Sequence, residues 1–268
     1  MEQERRLDMP GALAHYSLEG QIAIVSIDHP PMNALDVATK EALAKVFLEL
    51  EELGDQIRVV ILRGEGEKAF AAGADIKTFL ELTPKKAKKR LMRSHQIYKL
   101  IEEFEWPTIA AIHGYCLGAG LELALCCDIR YVAESAKLGF PEVRISVFPG
   151  NGGTQRALYN VPLGKLKEWV YTGAIIDAQE AFRYGLVEKV VSDEMLMEEV
   201  IGLANRILKN GPLGVSNAKK VLNRTRDLAL EDGLELESDF WANLTATEDM
   251  KEGAKAFIEK REPKYKCK

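Results

Sequence analysis

The chain lacks any apolar stretch long and unbroken enough to span a bilayer, which excludes a helical membrane protein. It also lacks an excess of positive charge. Against 36 Lys and Arg stand 41 Asp and Glu, a formal net charge of −5, so nucleic acid is not expected as the main partner. Cysteine is sparse, at four residues: Cys116, Cys126, Cys127 and Cys267. None stands in a Cys-x-x-Cys pair, so no metal site is expected, and free thiols of a reducing compartment are. There is no GxxxxGK[ST] phosphate loop, and Gly118-Ala119-Gly120 does not complete a dinucleotide fingerprint. The first residues, Met1-Glu2-Gln3-Glu4-Arg5-Arg6, mix both signs of charge and lead into no apolar segment. Neither a secretory signal nor an organelle presequence is expected, and a cytoplasmic location is.

What is present suits a globular enzyme. In 268 residues, 47% hydrophobic and 29% charged, there is material for a real core, in one large domain or one domain plus a small appendage. Ile22 to Ile27, Arg58 to Leu62, Thr108 to Ile112 and Ile129 to Val132 are short apolar runs rich in β-branched residues, and they read as strands. Between them, Asp36 to Leu53 repeats apolar residues at helical spacing with Asp36 as N-cap, and Pro84 to Phe104 and Ala119 to Cys126 read as further helices. Residues 69–77 are small and read as a loop. From about Gly164 the pattern predicts an almost wholly helical chain. Alternation of strand and helix implies a parallel sheet of βαβ units, with ligands at the carboxyl ends of its strands.

Two glutamates stand in frames of Gly or Pro: Glu122 in Gly118-Ala119-Gly120-Leu121-Glu122, and Glu142 in Gly139-Phe140-Pro141-Glu142. Glycine lets backbone N–H groups approach a ligand closely, and two carboxyls facing one small substrate can serve as acid and base. Two solvated surface glutamates are the alternative, but apolar residues surround both. Backbone N–H groups near Ala74 and Ala119 can point at one oxygen and form an oxyanion hole, which favours a reaction through an enolate.

The ordered segments His29-Pro30-Pro31-Met32-Asn33-Ala34-Leu35, Ala69 through Lys77, Ile112 through Glu122, Cys127-Asp128-Ile129-Arg130, Phe140-Pro141-Glu142 and Pro149 through Arg156 strongly resemble the enoyl-CoA hydratase/isomerase, or crotonase, family. The resemblance covers residues 14–266. It implies an α/β fold, a crotonase-like ββα spiral core over residues 1–200, with a helical C-terminal region over 201–268 that forms trimers, often paired into hexamers. It implies a CoA thioester as substrate and no metal or redox cofactor. It places the oxyanion-hole donors on the N–H groups of Ala74 and Ala119. Glu122 then helps activate the water that attacks C3 of a 2-enoyl thioester, and Glu142 holds the water and delivers a proton to C2. Gly150 orients the water through its N–H. CoA lies against Pro31, Met32 and Ala34 and against Ala72, Asp75, Ile76 and Lys77, with Lys260 of a neighbouring subunit near its phosphates. The rivals are a Δ3-Δ2-enoyl-CoA isomerase, which needs one glutamate and no water, and a CoA-ester- or RNA-binding protein without important catalysis.

Several other residues invite roles that we do not give them. His113 is expected to be a satisfied structural histidine and His95 to lie on a polar helix face. Cys116 has no base beside it in sequence and is expected to be a packed thiol. Lys85-Lys86-Ala87-Lys88-Lys89-Arg90 reads as a solvated helix face that can also guide an anionic CoA ester. The walls of the acyl pocket are expected partly from Phe79 to Tyr98 and partly from the C-terminal helices.

Overall fold

The most apolar runs form the centre of a sheet. β2 (Ile22–Ile27), β3 (Val59–Gly64) and β5 (Thr108–Ile112) are buried along almost their whole length, as strands covered on both faces must be. A computed structural model describes residues 11–73 and 76–268, with Ile76 and Lys77 as backbone only. Among these residues, β1 (Ala14–Glu19) and β10 (Lys189–Val191) edge the six-stranded sheet, in the order β1-β2-β3-β5-β7-β10, where β7 is Ile129–Ala133. Only the β1–β2 hairpin is antiparallel; each later pairing is parallel.

A second, four-stranded sheet runs β4 (Ala69–Ala72), β6 (Tyr115–Leu117), β8 (Lys137–Gly139) and β9 (Ile175–Asp177). Each pair of consecutive strands, β3/β4, β5/β6 and β7/β8, is split between the two sheets. The chain therefore winds as a spiral, stepping from large sheet to small sheet at every turn. Helix α1 (Val37–Glu52) follows β2, α2 (Pro84–Glu102) follows β4, α3 (Ala119–Ala124) follows β6, and the one-turn α4 (Gly153–Arg156) comes after β8. Asp36 caps α1 by accepting the Thr39 N–H.

The sequence pattern and the fold differ at short elements. Residues 69–77, expected as a loop, contain β4, and a 3-10 helix spans Ile76–Glu81. The region after Gly164 contains β9 and β10 besides helices α5 (Leu163–Thr172) and α6 (Ala178–Arg183). Strands of three or four residues are too short to show alternation, so no pattern marks them.

The main core lies between the two sheets, α1 and α2, with Phe47, Phe70, Tyr98 and Phe140 fully enclosed. A second cluster fills the opposite face of the large sheet, where α7 (Leu196–Leu208) packs Leu196, Val200 and Ala204 over Ile61, Ile109 and Ala111. The expected boundary after residue 200 thus falls inside a helix that belongs to the sheet layer. Beyond it, α8 (Pro212–Arg224) is tied to the core by Lys219, whose Nζ meets Asp128 Oδ2 at 2.8 Å and donates to Trp106 O. α9 (Leu230–Leu244) buries no residue and exposes Leu230, Leu234 and Trp241. α10 (Glu248–Glu259) exposes Phe257 and Ile258. Among the described residues no helix is long and apolar enough to cross a membrane.

Candidate active site

The small sheet assembles the site. Its parallel register aligns Ala72 with Leu117 and Leu117 with Gly139. The segments that leave β4, β6 and β8 therefore emerge side by side, and these strands, rather than those of the large sheet, carry the site at their carboxyl ends. Gly118 caps α3 with φ 54, a left-handed conformation that an L side chain resists. A Cβ on Gly120 would lie 1.9 Å from Ala71 O, so α3 rests directly on β4. Ala119 between them meets neither restriction. Its N–H opens the helix and has no acceptor within it. Tyr98, fully buried on α2, donates its hydroxyl to Ala119 O at 2.9 Å.

Glu122 lies one turn into α3 and is wholly buried. Its carboxylate accepts three N–H bonds: Asn151 N–H to Oε1 at 2.7 Å, Asn151 Nδ2 to Oε2 at 2.7 Å and Gly153 N–H to Oε1 at 2.9 Å. A carboxylate has about four acceptor positions, so one remains. The loop that supplies these donors is anchored to α2. His95 donates from Nε2 to Gly150 O at 2.7 Å, and Arg156 binds Glu102 while donating from Nη1 to Asn151 O. Lys40 reaches the loop from α1, donating to Asn151 Oδ1 at 3.0 Å.

Glu142, in the 3-10 helix Pro141–Ile145, has the opposite surroundings. Its Oε2 is buried with no hydrogen-bond partner among the described residues. Burial first, and then the charge of Glu122, pushes its pKa from 4.5 up to about 7. The carboxyl borders a cavity of about 400 Å³, whose walls include Gly118, Ala119, Gly150 and Asn151. Leu82 and Leu91 from one side and Ile145, Val147 and Phe148 from the other make most of it apolar. Ala87, Arg90 and Leu91 face it from α2, while Lys85, Lys86, Lys88 and Lys89 are exposed.

The structure brings Glu142, Ala119 and Gly150 to one cavity, and it places Glu122 directly behind Asn151. The turn carrying Pro31, Met32 and Ala34 is joined to the end of β4, because Ala72 N–H donates to Met32 O at 2.9 Å and Leu35 N–H to Gly73 O at 3.1 Å. Ala74 and Asp75 lie outside the described residues. Ile76 and Lys77 open the 3-10 helix after β4. Lys260 ends α10 in a left-handed conformation, exposed and away from the cavity lining.

Two expectations change, for the cavity walls and for His113. Among the described residues, the cavity takes no wall from α8, α9 or α10. His95 lies on the exposed face of α2 as expected, and from there it also anchors the loop. His113 is half-buried with Nε2 unpartnered among the described residues, and burial lowers its pKa. Cys116, by contrast, is a packed thiol, fully buried with its pKa pushed up by that burial. Lys40 and Asn151, which are hydrogen-bonded in series to Glu122, were not marked by the sequence reading. One signal was available: Lys40, Leu43, Phe47 and Leu50 share the apolar stripe of α1, where a cation is out of place.

A family model described as "Enoyl-CoA hydratase/isomerase" matches residues 17–268. The chain is 40% identical to a crotonyl-CoA hydratase of Syntrophomonas wolfei over 92% of its own length and 95% of the relative. It is 39% identical to a short-chain-enoyl-CoA hydratase of Clostridium acetobutylicum over 91% of its own length and 93% of that protein. Among solved structures, an enoyl-CoA hydratase from Bacillus anthracis superposes with a TM-score of 0.91 at 38% identity, covering 96% of this chain and all of that one.

Proposed function

The chain belongs to the enoyl-CoA hydratase/isomerase family, with its crotonase fold, and on that premise we propose that it reversibly hydrates 2-enoyl-CoA to 3-hydroxyacyl-CoA. The observation that carries this is the contrast between two coupled carboxyls. Glu122 is surrounded by N–H donors, whereas Glu142 is held in a setting that favours its neutral acid. Environments that separate two carboxyls in this way suit one to be a base and the other an acid. An isomerase that shuttles one proton needs only one of them.

In this mechanism the thioester oxygen lies against the N–H groups of Ala119 and Ala74. Water, oriented by Gly150 N–H, gives a proton to Glu122 as its oxygen bonds to C3. The C2–C3 π electrons move into the thioester as an enolate, whose oxyanion the two N–H groups stabilise. Glu142 then gives its proton to C2. Glu122 ends protonated and Glu142 ionised, so one proton must return between them or through solvent. Every step uses protein groups and water. The largely apolar cavity suits a hydrocarbon acyl chain, and the exposed lysines at the start of α2 suit the approach of the anionic CoA moiety.

The test is loss of the conjugated thioester absorbance of crotonyl-CoA with formation of 3-hydroxybutyryl-CoA. Glu122→Gln and Glu142→Gln should each lower kcat by about 10²–10⁴ while CoA-ester binding survives. Near-normal turnover by either variant rejects the two-carboxyl mechanism.

A further inference from the structure

Lys40 is only 4% exposed, although it lies one turn from the start of α1, where lysine ordinarily points to water. No carboxylate touches its ammonium among the described residues. Its hydrogen bonds go to two neutral groups, Ser94 Oγ at 3.0 Å and Asn151 Oδ1 at 3.0 Å, and Nζ lies 5.5 Å from the centre of the Tyr98 ring. Burial pulls its pKa down to about 8; Glu122 on α3 and Asp36 at the start of α1 act against this, and Arg90 on α2 adds to it. A buried cation is a poor source of stability, since an apolar side chain of similar volume packs without desolvation cost. Lysine must supply something here that methionine does not.

What it supplies is direction. An ammonium has three donors and no acceptor, so only the oxygen of the Asn151 amide can face it. The other end of that amide, Nδ2, is thereby turned toward Glu122 Oε2, 2.7 Å away. The flipped amide would set an oxygen against the carboxylate and an NH2 group against the ammonium, two repulsive contacts at once. An amide orientation is commonly ambiguous, but here both neighbours demand the same one. Asn151 also holds Oε1 through its backbone N–H, so a single residue fixes both oxygens of Glu122.

We propose that Lys40 is a positioning residue for hydration: by orienting Asn151 it holds the Glu122 carboxylate in the geometry that receives the proton of the attacking water. The assignment depends on Glu122 acting as the base. Lys40 does not line the cavity, so its effect should fall on kcat and leave substrate binding alone.

Lys40→Met, Asn151→Ala, the double variant and Glu122→Gln are to be compared on crotonyl-CoA, with thermal melting to establish that each is folded. Lys40→Met should lower kcat by about 10- to 100-fold, as small displacements of reacting groups do, and leave KM nearly unchanged. The double variant should fall no further than Asn151→Ala, because both substitutions break the same chain of contacts. If folded Lys40→Met keeps normal kcat while Glu122→Gln is inactive, the positioning role is wrong and Glu122 keeps its part. If Glu122→Gln is active, the proposed base itself is wrong and the role of Lys40 falls with it. Losses that multiply in the double variant overturn the link through Asn151. Should Lys40→Met not fold, Lys40→Gln decides: its amide carries an acceptor as well as donors, so Asn151 is no longer directed. Reduced kcat with unchanged KM then supports the proposal, and normal kcat overturns it.

Discussion

Glu142 combines a half-buried carboxyl, an oxygen without a partner among the described residues and a negative neighbour, and each disfavours its ionised form. As the proposed proton donor of hydration it must be protonated in the free enzyme. kcat/KM for hydration should therefore fall as pH rises through about 7, and a pH–rate profile checks this. The same titration affects stability. A carboxyl whose pKa is raised on folding, from 4.5 to about 7, contributes stability that is complete below 4.5 and lost as pH rises through 7. Glu142→Gln should remove that loss, so its melting temperature relative to the parent should rise between pH 5 and pH 8. At Ala119 the proposed oxyanion donor belongs to the backbone. Ala119→Gly keeps the N–H and should retain substantial turnover. Ala119→Pro removes it and should lose nearly all, as removal of one oxyanion donor costs roughly 3–4 kcal/mol. Circular dichroism establishes that both are folded. Glu122 and Glu142 were legible because their Gly and Pro frames are local. Asn151 and Lys40 act through partners 29 and 111 residues away, and no local frame marks such pairs.

At the scale of elements, the site depends on how closely α3 lies on β4. Gly120→Ala brings a methyl group against Ala71 O, at 1.9 Å in the present backbone, and the helix must move away. Overpacking of this kind costs about 1–3 kcal/mol, so Gly120→Ala should lower the melting temperature and also displace the Ala119 N–H. Unchanged melting and unchanged kcat would count against this account of the helix. Helix α1 was readable to within a residue because Asp36 caps it and its apolar stripe spans four turns. Strands β2 and β5 were equally plain from their β-branched runs. The strands that carry the site, β6 and β8, have three residues each, and their identity comes from the pairing of Leu117 with Gly139.

At the scale of the whole molecule, Leu230, Leu234, Trp241, Phe257 and Ile258 form exposed apolar surface on α9 and α10. Helices of this kind gain their stability by burying such surface. A homotrimer or hexamer is the state we expect, and Trp241→Glu with Phe257→Asp should reduce the assembly seen by light scattering. A stable monomer of the parent protein at working concentration rejects the expectation. The amino-acid sequence by itself determined the central strands β2, β3, β5 and β7, the capped α1, the two framed glutamates and the family, because these depend on neighbours along the chain or on segments in fixed succession. Only the tertiary structure decided that the chain steps between two sheets and that the site lies at the end of the smaller one. It also decided that Glu122 is reached through Asn151 from Lys40. Parallel strands pair across long crossovers, and a buried ammonium finds its partner only when α1, α2 and the loop after β8 pack together, so these features exist only once the chain is folded.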